Sequence, residues 1–115
     1  MQYLLMIYSE ENQVGGLPQS ELGKMMAEYT ALTASMKESG NLVGANRLKP
    51  IATATTVRLR DGKVSKTHGP FAETREQLGG YYLVDAKDLD EACALAARIP
   101  AARLGSIEVR PIFEM

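Results

Sequence analysis

From Gln2 to Tyr8 the chain reads Gln-Tyr-Leu-Leu-Met-Ile-Tyr, a short unbroken apolar run rich in strand-favouring side chains and ended by the polar Ser9-Glu10-Glu11-Asn12. This predicts a first strand. Gly15-Gly16-Leu17-Pro18 follows, and Pro18 suits the opening turn of a helix, where the N–H it lacks would have no partner anyway. Leu22, Met25, Met26, Tyr29, Thr33 and Met36 then recur at spacings of three and four, which places them on one helical stripe. Gly40, at ease in the left-handed conformation, should end that helix.

Residues 41–48 resume an extended pattern that Pro50 must stop or bend, because proline cannot donate to a strand ladder. Residues 54–67 form two alternating segments around Asp61-Gly62, a dipeptide suited to a two-residue type I′ hairpin turn. Val57 and Leu59 should face one way and Arg58 and Arg60 the other, leaving the hairpin one wet face. Gly79-Gly80 leads into residues 81–86, a strand without polar alternation. Asp88 then reads as a helix N-cap with Glu91 three residues on, a capping-box arrangement. Leu89, Ala92, Cys93, Ala96 and Ile99 should line the inner side of that second helix. Residues 106–112 alternate as a last strand.

The order strand, helix, strand, hairpin, strand, helix, strand fits an α+β fold: a ferredoxin-like antiparallel sheet with two helices on one face and an extra hairpin. In that layout the far face of the sheet is wet. Yet Tyr3, Leu5 and Ile7 alternate with Leu4, Met6 and Tyr8, and Tyr81 and Leu83 alternate with Tyr82 and Val84, so both faces of two strands are apolar. A contiguous apolar face of that kind exceeds what a monomer in water ordinarily exposes. A second copy packed sheet to sheet is the simplest cover, and symmetric dimers are the commonest closed oligomers.

Composition narrows the options. At 115 residues the chain should form a single domain, 1–115. Its 13 basic and 14 acidic side chains nearly cancel, so the whole-molecule field offers little attraction to nucleic acid or an anionic membrane. No stretch approaches the roughly 20 apolar residues needed to span a bilayer. One cysteine cannot close an intrachain disulfide, and the expected setting is the cytoplasm. Residues 47–66 hold six basic side chains and one acid, whereas 73–91 hold six acids and two bases. The basic stretch lacks stacking aromatics and a recognition helix, so nucleic acid is not expected as a partner. Complementary charge between elements or subunits is the more economical reading.

His68 is the only histidine, set between the hairpin and a Gly-Pro corner. An imidazole there could act as general acid or base, with Glu73 orienting it, or could simply hydrogen-bond a carbonyl and shape the turn. Phe71 should anchor the loop by burying its ring. Glu73, Arg75 and Glu76 form a charge cluster open to a ligand or merely solvated. Tyr29 lies on the inner helical stripe, where its hydroxyl needs a partner if buried. Arg47 could reach an anionic group or form a surface salt bridge. Cys93 among alanines reads as a small buried hydrophobe. One His and one Cys on separate elements give no metal-ligand spacing, and no phosphate loop or dinucleotide fingerprint is present, so neither metal nor cofactor is expected.

Several segments carry a family likeness, in this order along the chain: MQYLLMIYSEE, the Asp-Gly hairpin, GPFAET, LGGYYLVDA, DLDEA and IEVRPI. The sequence resembles the YCII-related family, in the branch named for an Asp-Gly-Pro-Phe signature. The resemblance implies a fold of the dimeric α+β barrel kind, in a family where many members lack an established activity. A related branch carries a first-helix histidine and an aspartate suggested as an active-site pair; the histidine's position corresponds to Tyr29. His68 replaces the signature aspartate, while Gly69, Pro70, Phe71, Glu73 and Thr74 match and Arg75 stands where lysine is common. Some members are linked to sigma factors, which implies a regulatory alternative. Two expectations result: a homodimer binding a small organic molecule in a cleft lined by Tyr29, Arg47, Phe71 and Arg75 near His68 and Glu73, with catalysis by His68; or a non-enzymatic interaction module associated with transcription.

Overall fold

The computed structural model describes residues 1–114. In chain order the elements are β1 (Gln2–Ser9), α1 (Glu11–Gly15), α2 (Gln19–Ser39), β2 (Leu42–Arg47), β3 (Thr55–Arg60), β4 (Lys63–His68), β5 (Gln77–Asp85), α3 (Leu89–Ala97) and β6 (Ser106–Pro111). Single 3-10 turns occupy Ile51–Thr53 and Pro100–Arg103. Four strands form one antiparallel sheet in the order β2-β5-β1-β6, and β3 pairs only with β4. With that hairpin set aside, the first strand lies between the third and the last and the second sits at an edge. This is the α+β, ferredoxin-like arrangement expected, with the hairpin inserted between its second and third strands.

Strand alternation decides which side chains meet the helices. Tyr3, Leu5 and Ile7 of β1 are buried, as are Tyr82 and Val84 of β5. Leu5 stands between Tyr82 and Val109 in the ladder, and Tyr3 lies opposite Val84. Leu32 and Met36 of α2 and Ala92, Leu95 and Ala96 of α3 close over this row as one core. On the other face Leu4 pairs with Leu83 and Met6 with Tyr81, all four only half-buried. That apolar face has no cover among the described residues.

Local chemistry sets the ends of the elements. Gly40 closes α2 at φ 82°, where any side chain would be strained, and its N–H reaches the Lys37 carbonyl. Asp88 caps α3 by accepting from the Glu91 N–H at 2.9 Å. Glu91 does not reach back to the cap's own amide; its carboxylate accepts from the Lys87 N–H and from Asn41 instead, pinning the helix start to the end of α2. Asp61 and Gly62 both take positive φ, 51° and 74°, as a type I′ turn requires.

Three expectations need correction. Cys93 is exposed, because the inward row of α3 runs through Ala92, Leu95 and Ala96 and the adjacent position is rotated out of it. Phe71 does not bury its ring, which is 80% exposed. The hairpin has no dry face within one chain: Val57, Leu59 and Val64 are 60%, 62% and 65% exposed. The polar run after β1, read as a strand end, also contains the short helix α1, which buries nothing and so leaves no apolar periodicity to read.

Candidate functional site

The stripe predicted on α2 has two fates. Toward its C-terminal end Met36, with Leu32 beside the stripe, packs on the sheet, while its N-terminal half, Leu22, Met25, Met26 and Tyr29, overhangs a cavity of about 520 Å³. The hollow follows from the ladder. At the level of Ile7 the helix-facing neighbours are Gly80 and Arg47, so β5 contributes no side chain to the layer there. Glycine is required, since a Cβ at Gly80 would come within 2.9 Å of the Asn46 carbonyl oxygen. The gap left by this close approach of β2 and β5 is what α1 and α2 roof over.

The lining is mainly apolar, with Val14, Leu48, Pro50 and Ala101 completing the walls. Such a volume suits a small organic ligand, and a few placed polar groups would then orient it. Glu11 is one of them, but its carboxylate is engaged by the Ile51 N–H at 2.9 Å and its own amide donates to Gln77, so it ties α1 to the segment leading into the hairpin. Thr33 donates to the Tyr29 carbonyl and also lies 2.9 Å from the Tyr82 hydroxyl. Because its single proton is committed to Tyr29, Tyr82 is the donor in that second bond.

Ser9, Asn46 and Tyr81 also line the cavity, Asn46 donating to the Tyr81 hydroxyl, and Tyr29 and Arg47 add a phenol and a cation. Burial pushes the Tyr29 phenol up from its usual value, with a backbone contact from Ala101 and the charges of Arg47 and Arg103 pulling partly back. The hydroxyl therefore stays protonated at neutral pH and can donate. No carboxylate pairs with Arg47 among the described residues. A cation beside an apolar cavity, with a neutral phenol in the same lining, is chemically suited to an anion carried on a small apolar body.

Among the other residues singled out from the sequence, His68, Phe71, Glu73 and Arg75 lie outside this lining. His68 ends β4 opposite Thr55 and is exposed. Gly69 follows at φ 99° and is held by its N–H to the Ala54 carbonyl and by its own carbonyl to the Thr56 hydroxyl, which closes the root of the hairpin. No hydrogen bond or ion pair joins His68 to Glu73 among the described residues. Arg75 instead donates to Glu10 at 2.8 Å, fastening its loop to the start of α1. Glu76 accepts from Ser106. Sequence reasoning passed over Glu11, Gly80 and Tyr82 as site residues; the Gly-Gly-Tyr-Tyr run was the available signal, a strand whose glycines empty one row beside two phenols.

The YCII-related domain model matches residues 1–115. The chain belongs to the YCII-related domain family. It is also 37% identical over 114 residues to the uncharacterized protein R00369 of Rhizobium meliloti (strain 1021), a match covering 97% of this chain and 92% of that protein. Among solved structures, it resembles 5-chloro-2-hydroxyhydroquinone dehydrochlorinase (TftG) from Burkholderia phenoliruptrix AC1100, in complex with 2,5-dihydroxybenzoquinone. That superposition has a TM-score of 0.52 and covers 100% of this chain and 96% of the other at 12% identity, a likeness of fold. For this YCII-related chain, the helix position of Tyr29 opens on the cavity, and no helix among its described residues is long and apolar enough to cross a membrane.

Proposed function

We propose that this protein binds a small organic anion with a largely apolar, planar body in the cavity between α1, α2 and the β2-β5 edge, and that it does so as a homodimer joined through the open face of the sheet. The observation that carries the reading is Arg47, a guanidinium without a carboxylate partner among the described residues, at the rim of a mainly apolar cavity that the Tyr29 phenol also lines. Arg47 supplies the countercharge and Tyr29 a hydrogen bond to a carboxylate, enolate or phenolate oxygen. The neighbour's complex with a dihydroxybenzoquinone supports a ligand of this size and planarity. Any proton transfer would fall to His68 as acceptor with Glu73 orienting it, although neither lines the cavity of its own chain.

Titration calorimetry with benzoate and 2,5-dihydroxybenzoquinone against the intact protein tests this. Saturable binding is expected for at least one of them, weakened about 10-fold or more in Arg47→Gln because a charge-assisted hydrogen bond is lost. Tyr29→Phe should weaken it less, and benzamide should be indifferent to Arg47. Binding unaffected by Arg47→Gln, or no binding of either anion, sinks the reading. The competing reading, a regulatory module that meets a transcription protein, would use the exposed loop around Phe71, Glu73 and Arg75, and it predicts that cavity variants leave the protein's behaviour unchanged.

A further inference from the structure

The hairpin does not belong to the body of the chain. The radius of gyration is 16.1 Å over extents of 48 × 44 × 19 Å, whereas a compact chain of this length should have about 13 Å. β3 and β4 pair with one another and make no extensive contact with any other element. An isolated two-stranded ribbon is marginal in water. This one nonetheless carries a dedicated turn and concentrates its apolar side chains on one face.

Register identifies that face. Thr55 pairs with His68, Val57 with Lys66 and Leu59 with Val64, and alternate positions of a strand share a side. Val57, Leu59, Val64 and His68 therefore stand together, with Thr55 and Lys66 among them. The other face is Thr56, Arg58 and Arg60 with Lys63, Ser65 and Thr67, which is wholly polar. A surface ribbon with no partner has no reason to sort its side chains in this way.

We infer that the hairpin is an arm that clasps a second copy of this chain and that His68 becomes an interface residue when it does. Three observations choose the occupant. The sheet's open face, with Leu4, Met6, Tyr81 and Leu83, is uncovered among the described residues, and the arm joins β2 and β5 of that sheet through residues 48–54 and 69–76. A stable complex buries roughly 800 Å² per partner, more than Val57, Leu59 and Val64 can supply, so the arm would have to act together with the sheet face. One cation, Lys66 beside Val57, lies on the arm's apolar face, and it would meet a body whose residues 73–91 hold six acids and two bases. A two-fold axis makes the exchange reciprocal, each arm reaching over the other body. The inference rests on the dimer proposed above and adds what holds it and where His68 goes.

Sedimentation equilibrium of the full chain should show a dimer whose dissociation constant rises at least about 10-fold in Leu59→Glu and changes little in Ser65→Glu on the polar face. Hydrogen exchange of the unaltered protein decides the matter if the variant fails to fold: amides 55–68 should gain protection as concentration rises through the dimerisation midpoint. Over the same range, modification of the lone histidine by diethyl pyrocarbonate should slow. A monomer at every concentration overturns both the arm and the dimer it rests on. A dimer whose arm amides exchange alike at all concentrations overturns the arm alone, and an unchanged histidine reactivity removes His68 from the interface. Ligand titrations of the Arg47 variant are read separately from all three.

Discussion

Three methionines on α2 provide an internal control for the split between core and cavity. Met36 is fully buried, Met25 and Met26 line the cavity and Met26 is 47% exposed, although all three sit on one helix in one apolar stripe. Truncation to alanine removes the same atoms at each site and slightly favours the helix at each. At Met36 the lost transfer energy is about 2 kcal/mol at ~0.8 kcal/mol per buried methylene-sized group. The space left between α2 and Tyr3, Leu5 and Val84 cannot collapse fully, so the total should fall in the range of about 2–5 kcal/mol. At Met25 the removed atoms border a space already empty, so no new void is made and the cost should stay under about 1 kcal/mol. Met26→Ala should be close to neutral, within about 0.5 kcal/mol. Urea denaturation at fixed protein concentration measures all three, with thermal midpoints expected to move about 4 °C per kcal/mol for a chain of this size. Equal losses at Met25 and Met36 would mean that α2 lies flat on the sheet in solution, and the cavity argument would fail with it.

Two further predictions follow from the same contacts. The Tyr29 pKa is raised in the folded state by burial, so the stability held by its neutral phenol is complete below the unfolded value near 10 and drains as pH climbs through the folded one; Tyr29→Phe should flatten the alkaline decline of the urea midpoint, and a decline identical to that of the parent would refute the assignment. Asp88→Ala removes the 2.9 Å cap on the Glu91 amide and should cost about 0.5–2 kcal/mol, whereas Asp88→Asn should restore most of it, as denaturation midpoints of the pair will show.

Periodicity in the chain was enough for most of the architecture. β1, α2, the hairpin, β5, α3 and β6 were all legible because each writes its burial at a spacing of two or between three and four, and because Gly40, Asp61-Gly62 and Asp88 punctuate the ends with side chains or φ angles few other residues supply. The apolar pattern on both faces of β1 and β5 was equally plain from the order of the residues. The site was less so. Tyr29 and Arg47 lie 18 positions apart, and nothing in their spacing says that one helix half lifts away from the sheet just where Gly80 empties a row. His68 and Phe71 looked like loop and core because linear neighbours were all that could be weighed; their exposure is set by a hairpin that leaves the body.

The elements, their ends and the doubled apolar face are written into the amino-acid order, since these depend on interactions within a few residues along the chain. It took the folded arrangement to reveal that α2 roofs a cavity, that Arg47 goes without a carboxylate partner among the described residues beside it, and that the ribbon bearing His68 stands clear of its own core. Such facts depend on which distant backbones approach and on which side chains are missing between them, and a local pattern carries no record of either.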